Sequence, residues 1–371
     1  MGPTSTRQRA DRDSWLRGTD FDRAPFTIAW EVTRACAFAC LHCRADAQPR
    51  RAPGELTTDE GKALIDRFAA FGRPILVFTG GDPLMRRDLF ELIAHADRAG
   101  LRCSLTPTAT ALATVDRLAR ARDAGVRRIA LSLDAPTPQV HDAFRGTRGS
   151  WERTMAILHA AAEVGLSTQV NTTVTADNVD LLPDMVRFVR EVGAVQWSVF
   201  FLVPTGRGRR LSMLSPQRHE EVLGWLHDLA AEGDFDVKAT AAPMYRRIAA
   251  QRGADRGAGF AFGDGLDRPT RGVNDGRGFL FVSHTGDVMP SGFLPLVAGN
   301  VRTDDVVGLY RDSPLFRSLR DPAALSGRCG ACEFREVCGG QRGRAYALTG
   351  DPLASDPACA YEPPGWAPGA A

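Results

Sequence analysis

The chain has 371 residues, 44% of them hydrophobic and 24% charged, with a net charge near +2. That is long enough for one large domain plus a small appendage. A balance this close to neutral gives no electrostatic reason to expect nucleic acid or an anionic membrane surface as partner. The first 24 residues are polar, rich in Arg and Asp, and lack the apolar core of a signal peptide. No run of about eighteen apolar residues follows, so no spanning helix is expected. Eight cysteines without an export signal fit a reducing cytoplasm and metal binding.

From Phe26 to about Ala231, short apolar runs alternate with longer segments of helical periodicity. The expected strands are Thr27–Val32, Ile75–Thr79, Arg102–Thr106, Arg128–Leu133, Ser167–Val174 and Val195–Leu202. Between and after them lie expected helices over Thr58–Phe71, Asp88–Ala99, Thr114–Ala124, Trp151–Val164, Leu181–Val192 and Pro216–Ala231. Glycines stand just past most of the helical segments, where a left-handed cap is needed. Six strand–helix units in series predict a parallel sheet with right-handed crossovers. Six are too few to close an eight-stranded barrel, so an open, partial barrel is expected, with its chemistry at the C-terminal strand ends.

Directly after the first strand come Cys36, Cys40 and Cys43, spaced C-x3-C-x2-C. Thiolates grouped this tightly are the usual ligands of an iron–sulfur cluster. Three local cysteines would leave one iron of a four-iron cubane open to a small molecule bearing an amine and a carboxylate. Zinc normally takes four closed ligands with two residues between paired cysteines. His42 as a fourth ligand, wedged between two cysteines, would strain the loop. A disulfide would need an oxidising compartment.

After the second strand stands Gly80-Gly81-Asp82-Pro83, a turn in which two glycines permit close backbone approach. With the cysteine loop, this pattern resembles the radical S-adenosylmethionine (SAM) superfamily, whose fold is a partial (β/α)6 TIM-like barrel. The resemblance implies a [4Fe-4S] cluster on Cys36, Cys40 and Cys43 whose open iron holds SAM. It implies that Gly80, Gly81 and Asp82 form the turn meeting the methionine amino group, Asp standing where Glu is more usual. Ser132 would contact the ribose, Asn171 the ribose or methionine, and Arg145 the SAM carboxylate, for which a planar guanidinium is suited. His42 and Leu202 would lie on the adenine side.

A second group, Cys329, Cys332, Cys338 and Cys359, reads C-x2-C-x5-C followed by a fourth cysteine. Four thiolates close a cluster completely, and zinc is the alternative. The stretch resembles the SPASM/twitch extensions of radical SAM enzymes. Arg342 and Ser291 stand where a full SPASM pattern would supply further cysteines, so one auxiliary [4Fe-4S] cluster is expected, not two. Cys103, inside a strand, reads as a small buried hydrophobe.

The resemblance divides the chain into a tail (1–24), a barrel (25–235), a Gly/Arg-rich bridge (236–285), an auxiliary-cluster domain (286–364) and a short tail (365–371). Residues 251–277 read as a mobile loop near the active site or, equally, as a disordered linker, and Arg207, Arg209 and Arg210 as a basic mouth for substrate carboxylates or phosphate or, equally, as a solvated loop. The CGG-x-RxRAY segment is closest to the branch holding alternative-haem-pathway decarboxylases and peptide-cofactor maturases. The implied activity is reductive SAM cleavage to a 5′-deoxyadenosyl radical, then hydrogen abstraction and net oxidation of a carboxylate-bearing small molecule such as a tetrapyrrole, or of a peptide. An external one-electron reductant of flavodoxin or ferredoxin type is required. A non-enzymatic electron carrier would need neither the Gly-Gly-Asp turn, Arg145 nor the barrel.

Overall fold

The structure, a computed structural model, describes residues 19–253, 262–267, 269 and 272–366. The two terminal tails fall mostly outside them, as does the middle of the expected mobile loop.

The six expected strands form as β1 (Thr27–Glu31), β2 (Ile75–Thr79), β3 (Arg102–Leu105), β4 (Val126–Ser132), β5 (Ser167–Val174) and β6 (Gln196–Phe201). They pair in parallel in chain order. The six expected helices also form: α1 (Thr58–Ala69), α2 (Leu89–Arg98), α3 (Val115–Asp123), α5 (Ser150–Glu163), α6 (Leu182–Glu191) and α7 (Pro216–Glu232). A further one, α4 (Pro138–Arg145), precedes α5. Local chemistry sets their ends. Thr57 and Glu60 make a capping box at α1, an arrangement contributing about 1 kcal/mol.

Alternation along the strands separates core from cavity. Ile28, Trp30, Leu76, Phe78, Ile129, Leu131, Val170 and Trp197 point outward under the helices and are fully buried. Each such side chain contributes roughly 1.5–3 kcal/mol by leaving water. The intervening residues, among them Ile75, Val77, Thr79, Ala130, Ser132 and Asn171, line a concave inner face that mixes apolar and polar side chains.

The sheet is larger than six strands. Beyond β6, β7 (Asp236–Thr240) adds in parallel. After helix α8 (Met244–Gln251), β8 (Phe279–Val282) returns to pair in parallel with β1. Antiparallel β9 (Asp287–Met289) and β10 (Gly299–Asn300) complete a ten-stranded open sheet, ordered β10-β9-β8-β1-β2-β3-β4-β5-β6-β7. The bridge therefore contains two sheet strands, hidden in the sequence because both are short and β8 pairs with a strand some 250 residues earlier.

Residues 262–267 are also packed. Phe262 and Leu266 are buried, and Arg128 donates to Asp264 through Nε and Nη2 at 2.7 and 2.9 Å. Lying against the N-terminal half of β4, this segment plugs the end of the barrel opposite the cysteine loop. The loop reading fails here because two apolar anchors sat among glycines.

The C-terminal segment continues with α9 (Val306–Asp312), α10 (Pro314–Arg320), α11 (Gly327–Ala331) and α12 (Arg342–Thr349). No helix among the described residues is long and apolar enough to cross a membrane.

Candidate active site

The concave face of the sheet encloses an open cavity of about 710 Å³. Cys36, Cys40 and Cys43 line one side of it. Their loop is held from several directions. Cys36 N–H donates to Gln48 O at 2.7 Å, Leu41 N–H to Phe144 O at 3.1 Å, and Arg207 Nε to Cys40 O at 2.9 Å. Gly206, at φ +54°, passes so close that a Cβ would lie 2.5 Å from Cys43 O. Only glycine fits such an approach.

The sulfurs have donors around them. Phe38 N–H points to Cys36 Sγ at 3.4 Å, the Thr108 hydroxyl lies 3.5 Å from the same atom, and Arg145 Nη1 is 3.8 Å from Cys40 Sγ. Burial pushes the Cys36 and Cys40 thiols up, so iron must displace their protons on binding. Donors aimed at sulfur are what a bound cluster uses to stabilise thiolate charge. No three His, Cys, Asp or Glu side chains among the described residues converge as a single ion requires.

Gly80 and Gly81 line the cavity, but their lack of a side chain serves the cysteine loop. A Cβ on either would fall 2.4 Å from the Thr33 or Ala35 carbonyl. Gly81 and Asp82 N–H donate to those same carbonyls at 2.8 and 2.7 Å. Asp82 is turned inward and fully buried, accepting from Leu84 N–H, Thr108 N–H and the Thr110 hydroxyl. Its carboxylate builds the turn and does not line the cavity.

Arg145, at the end of α4, is better placed for an anion. Its Nε donates to buried Asp134 at 2.6 Å, while Nη2 is buried without a partner. An orphaned guanidinium nitrogen facing a cavity is a ready site for a carboxylate. Burial alone would raise Asp134, but Arg145, together with the neighbouring histidines and the Thr173 N–H, outweighs it and holds the carboxyl below its ordinary range. His42 stacks on Phe144 at 4.6 Å, and burial drives it to about 3, so it is neutral. Ser132 and Asn171 are register neighbours on β4 and β5, and Leu202 follows β6; all three line the cavity with His42.

Of the two readings of the arginines after the sixth strand, the structure has the solvated loop rather than the basic mouth. Arg207 is spent on the cysteine loop, and Arg209 and Arg210 are exposed outside the cavity. The cations on the wall are Arg44, Arg128, Arg145, Lys238 and Arg246. Arg44 lies over the Phe281 ring at 4.4 Å and 3.1 Å from Glu31. Lys238 was missed because β7 was missed. Thr108 was legible only as the end of the third strand, where a ligand-facing residue is expected.

A second, smaller recess brings together Cys329, Cys332, Cys338 and Cys359. Here too N–H groups face sulfur: Gly340 to Cys338 and Asp356 to Cys329, both at 3.4 Å. Arg342, in place of a further cysteine, is buried, bonds the carbonyls of Gly340, Pro352 and Ala354, and reaches Cys329 Sγ at 3.6 Å. Ser291 is buried and accepts from Phe293 and Leu294 N–H. Arg342 is committed to the loops around the four cysteines, whereas Ser291 holds its own turn and lines the main cavity. Cys103 is fully buried in the core, its thiol pushed up to about 12.

The radical SAM superfamily profile matches residues 30–223, which hold the first cysteine loop and the strand ends just described. The chain belongs to the radical SAM superfamily. It is therefore an enzyme of the class that uses a [4Fe-4S] cluster and SAM. An AdoMet-dependent haem synthase of Nitratidesulfovibrio vulgaris is 46% identical over 339 residues, covering 91% of this chain and 92% of that protein. A mycofactocin maturase of Mycobacterium tuberculosis is 30% identical, covering 94% and 85%. In fold, the chain is similar to Streptococcus suis SuiB bound to S-adenosylmethionine, with a TM-score of 0.71 at 16% identity over 91% of this chain and 78% of that one.

Proposed function

We propose that this radical SAM enzyme oxidatively decarboxylates propionate side chains of a tetrapyrrole. Overall, R–CH2–CH2–COO⁻ becomes R–CH=CH2 and CO2 by loss of one hydrogen atom and one electron. The observation that carries the reading is the 46% identity to a haem synthase along nearly the whole of both chains, well above that to the peptide maturase.

When bound, the cluster and SAM supply a 5′-deoxyadenosyl radical that abstracts the hydrogen atom. The residues of this chain position the partners. Cys36, Cys40 and Cys43 would ligate the cluster. Arg145 would hold the SAM carboxylate on its unpartnered Nη2, and the Gly80–Gly81 backbone its amino group. Ser132 and Asn171 would face the ribose, with His42 and Leu202 on the adenine side. Arg44, Lys238 and Arg246 would pair with substrate propionates, taking the part first assigned to the arginines after the sixth strand. The ion pair of Arg44 with Glu31 and its position over the Phe281 ring keep its guanidinium fixed, which favours orientation over loose attraction.

The four C-terminal cysteines would hold an auxiliary [4Fe-4S] cluster of SPASM/twitch type, receiving the substrate's electron. The barrel (25–235), bridge (236–285) and auxiliary domain (286–364) would then work as one enclosure, in the cytoplasm, supplied by a flavodoxin or ferredoxin. Anaerobically reconstituted protein given dithionite, SAM and iron coproporphyrin tests this. Vinyl product and CO2 support it. Deoxyadenosine with the porphyrin returned unchanged overturns the substrate assignment.

A further inference from the structure

We infer that the outer surface of the cysteine loop is the docking site for an acidic one-electron carrier protein. This rests on the reading that Cys36, Cys40 and Cys43 hold a cluster reduced from outside.

The loop has two faces. Cys36, Phe38, Cys40 and His42 turn inward and line the cavity, whereas Ala37, Ala39 and Leu41 turn outward and are exposed. Leu41 is 47% exposed, among the most exposed large apolar side chains of the described residues. It sits between a cluster cysteine and His42. An apolar patch one residue thick over a buried redox centre offers a short path for an electron and a surface that gains by being covered.

Two basic elements flank the patch. On one side, α4 ends against the loop: Leu41 N–H donates to Phe144 O, and a Cβ at Gly146 would lie 3.1 Å from Ala39 O. Arg148 follows two residues later and is exposed. On the other side, Arg207 N–H donates to Cys43 O at 3.0 Å, and exposed Arg209 and Arg210 follow. None of Arg148, Arg209 and Arg210 has a hydrogen-bond or ion-pair partner among the described residues. The nearby carboxylates are occupied. Asp46 pairs with Arg207 at 3.2 Å, and Asp142 accepts from Ser150 Oγ and from Gly149 and Trp151 N–H at the start of α5. An apolar centre with an unpaired cationic rim fits a partner of opposite charge, and such rims chiefly accelerate encounter.

The test compares two reductants on the reconstituted holoenzyme, with dithionite as the small one and a purified, fully reduced flavodoxin as the protein one. The variant Arg148→Glu/Arg209→Glu/Arg210→Glu is expected to keep wild-type iron content and dithionite-driven deoxyadenosine formation. With flavodoxin its kcat/KM falls at least tenfold and loses its dependence on salt. Leu41→Ala is expected to raise the KM for flavodoxin without altering the salt slope. Equal losses with both reductants, or an unchanged flavodoxin rate, overturn the docking site. Failure of dithionite to drive the wild type overturns the proposed function instead. Flavodoxin binding measured by calorimetry then decides the surface on its own: weaker binding to the triple variant supports it, and equal binding overturns it.

Discussion

His284 Nδ1 lies 2.9 Å from Glu31 Oε1, joining the turn after β8 to the end of β1, 253 residues earlier in the chain. Glu31 also meets Arg44 at 3.1 Å and Arg34 at 3.3 Å. One carboxylate thus ties the strand before the cysteine loop, the residue just after it and the C-terminal extension to one another. The barrel wall and the cluster loop are set by the same group.

Burial alone would raise the Glu31 carboxyl; Arg44, His284 and Arg34 outweigh it and hold it at about 2. A carboxyl depressed in the folded state contributes stability that is present above its unfolded value of about 4.5 and lost as pH falls toward 2. A displacement of that size corresponds to on the order of 3 kcal/mol. Glu31→Gln should therefore lower the denaturation midpoint of the metal-free protein at pH 7, with the gap to wild type closing below about pH 4. Urea titrations across pH check this, and a gap that stays undiminished from pH 5 down to pH 2 would contradict it.

Arg145→Lys removes the planar pair of donors while keeping charge beside Asp134. SAM affinity should fall at least tenfold with iron content unchanged, a loss of about 1.4 kcal/mol or more. The measurement is the SAM-induced change in the reduced cluster's paramagnetic resonance spectrum, titrated in both proteins.

Thr108 places one hydroxyl 3.5 Å from Cys36 Sγ and 3.0 Å from Gly81 O. Thr108→Val removes, at constant shape, the hydroxyl that donates to Gly81 O beside the sulfur and should shift the cluster's reduction potential, while Thr108→Ser restores it. Redox titration of the three proteins decides, because a purely structural loss would leave the potential unmoved.

Cys359→Ala should halve the iron of the reconstituted protein from about eight to about four per chain. Deoxyadenosine should still form, but oxidised product should not accumulate, since the substrate's electron has no acceptor. Iron at the wild-type level would place the auxiliary cluster elsewhere. A zinc content of one per chain would make the recess a structural site.

Much of this was legible in the chain. The six strands carry unbroken apolar or alternating patterns, and the cysteine loop follows the first of them at the spacing the chemistry needs. What escaped was set by distant contacts. Asp236–Thr240 is polar at its inward positions, Lys238 included, and becomes a strand only because β6 lies beside it. Phe279–Val282 has a β-rich sequence, but its parallel partner lies at the opposite end of the chain. The glycines at 80 and 81 were singled out for close approach to a ligand, and what their backbone approaches in the structure is Thr33–Ala35. The direction taken by Arg207, toward Cys40 O, is fixed by Gly206 folding against the loop, which no local pattern encodes.

The most direct test is a single-turnover assay on anaerobically reconstituted protein with SAM, dithionite and iron coproporphyrin, following deoxyadenosine, CO2 and vinyl product together. The account predicts about eight irons per chain and all three products in equal amounts. Fully loaded protein that binds SAM and yet forms no deoxyadenosine in the presence of the porphyrin would contradict it.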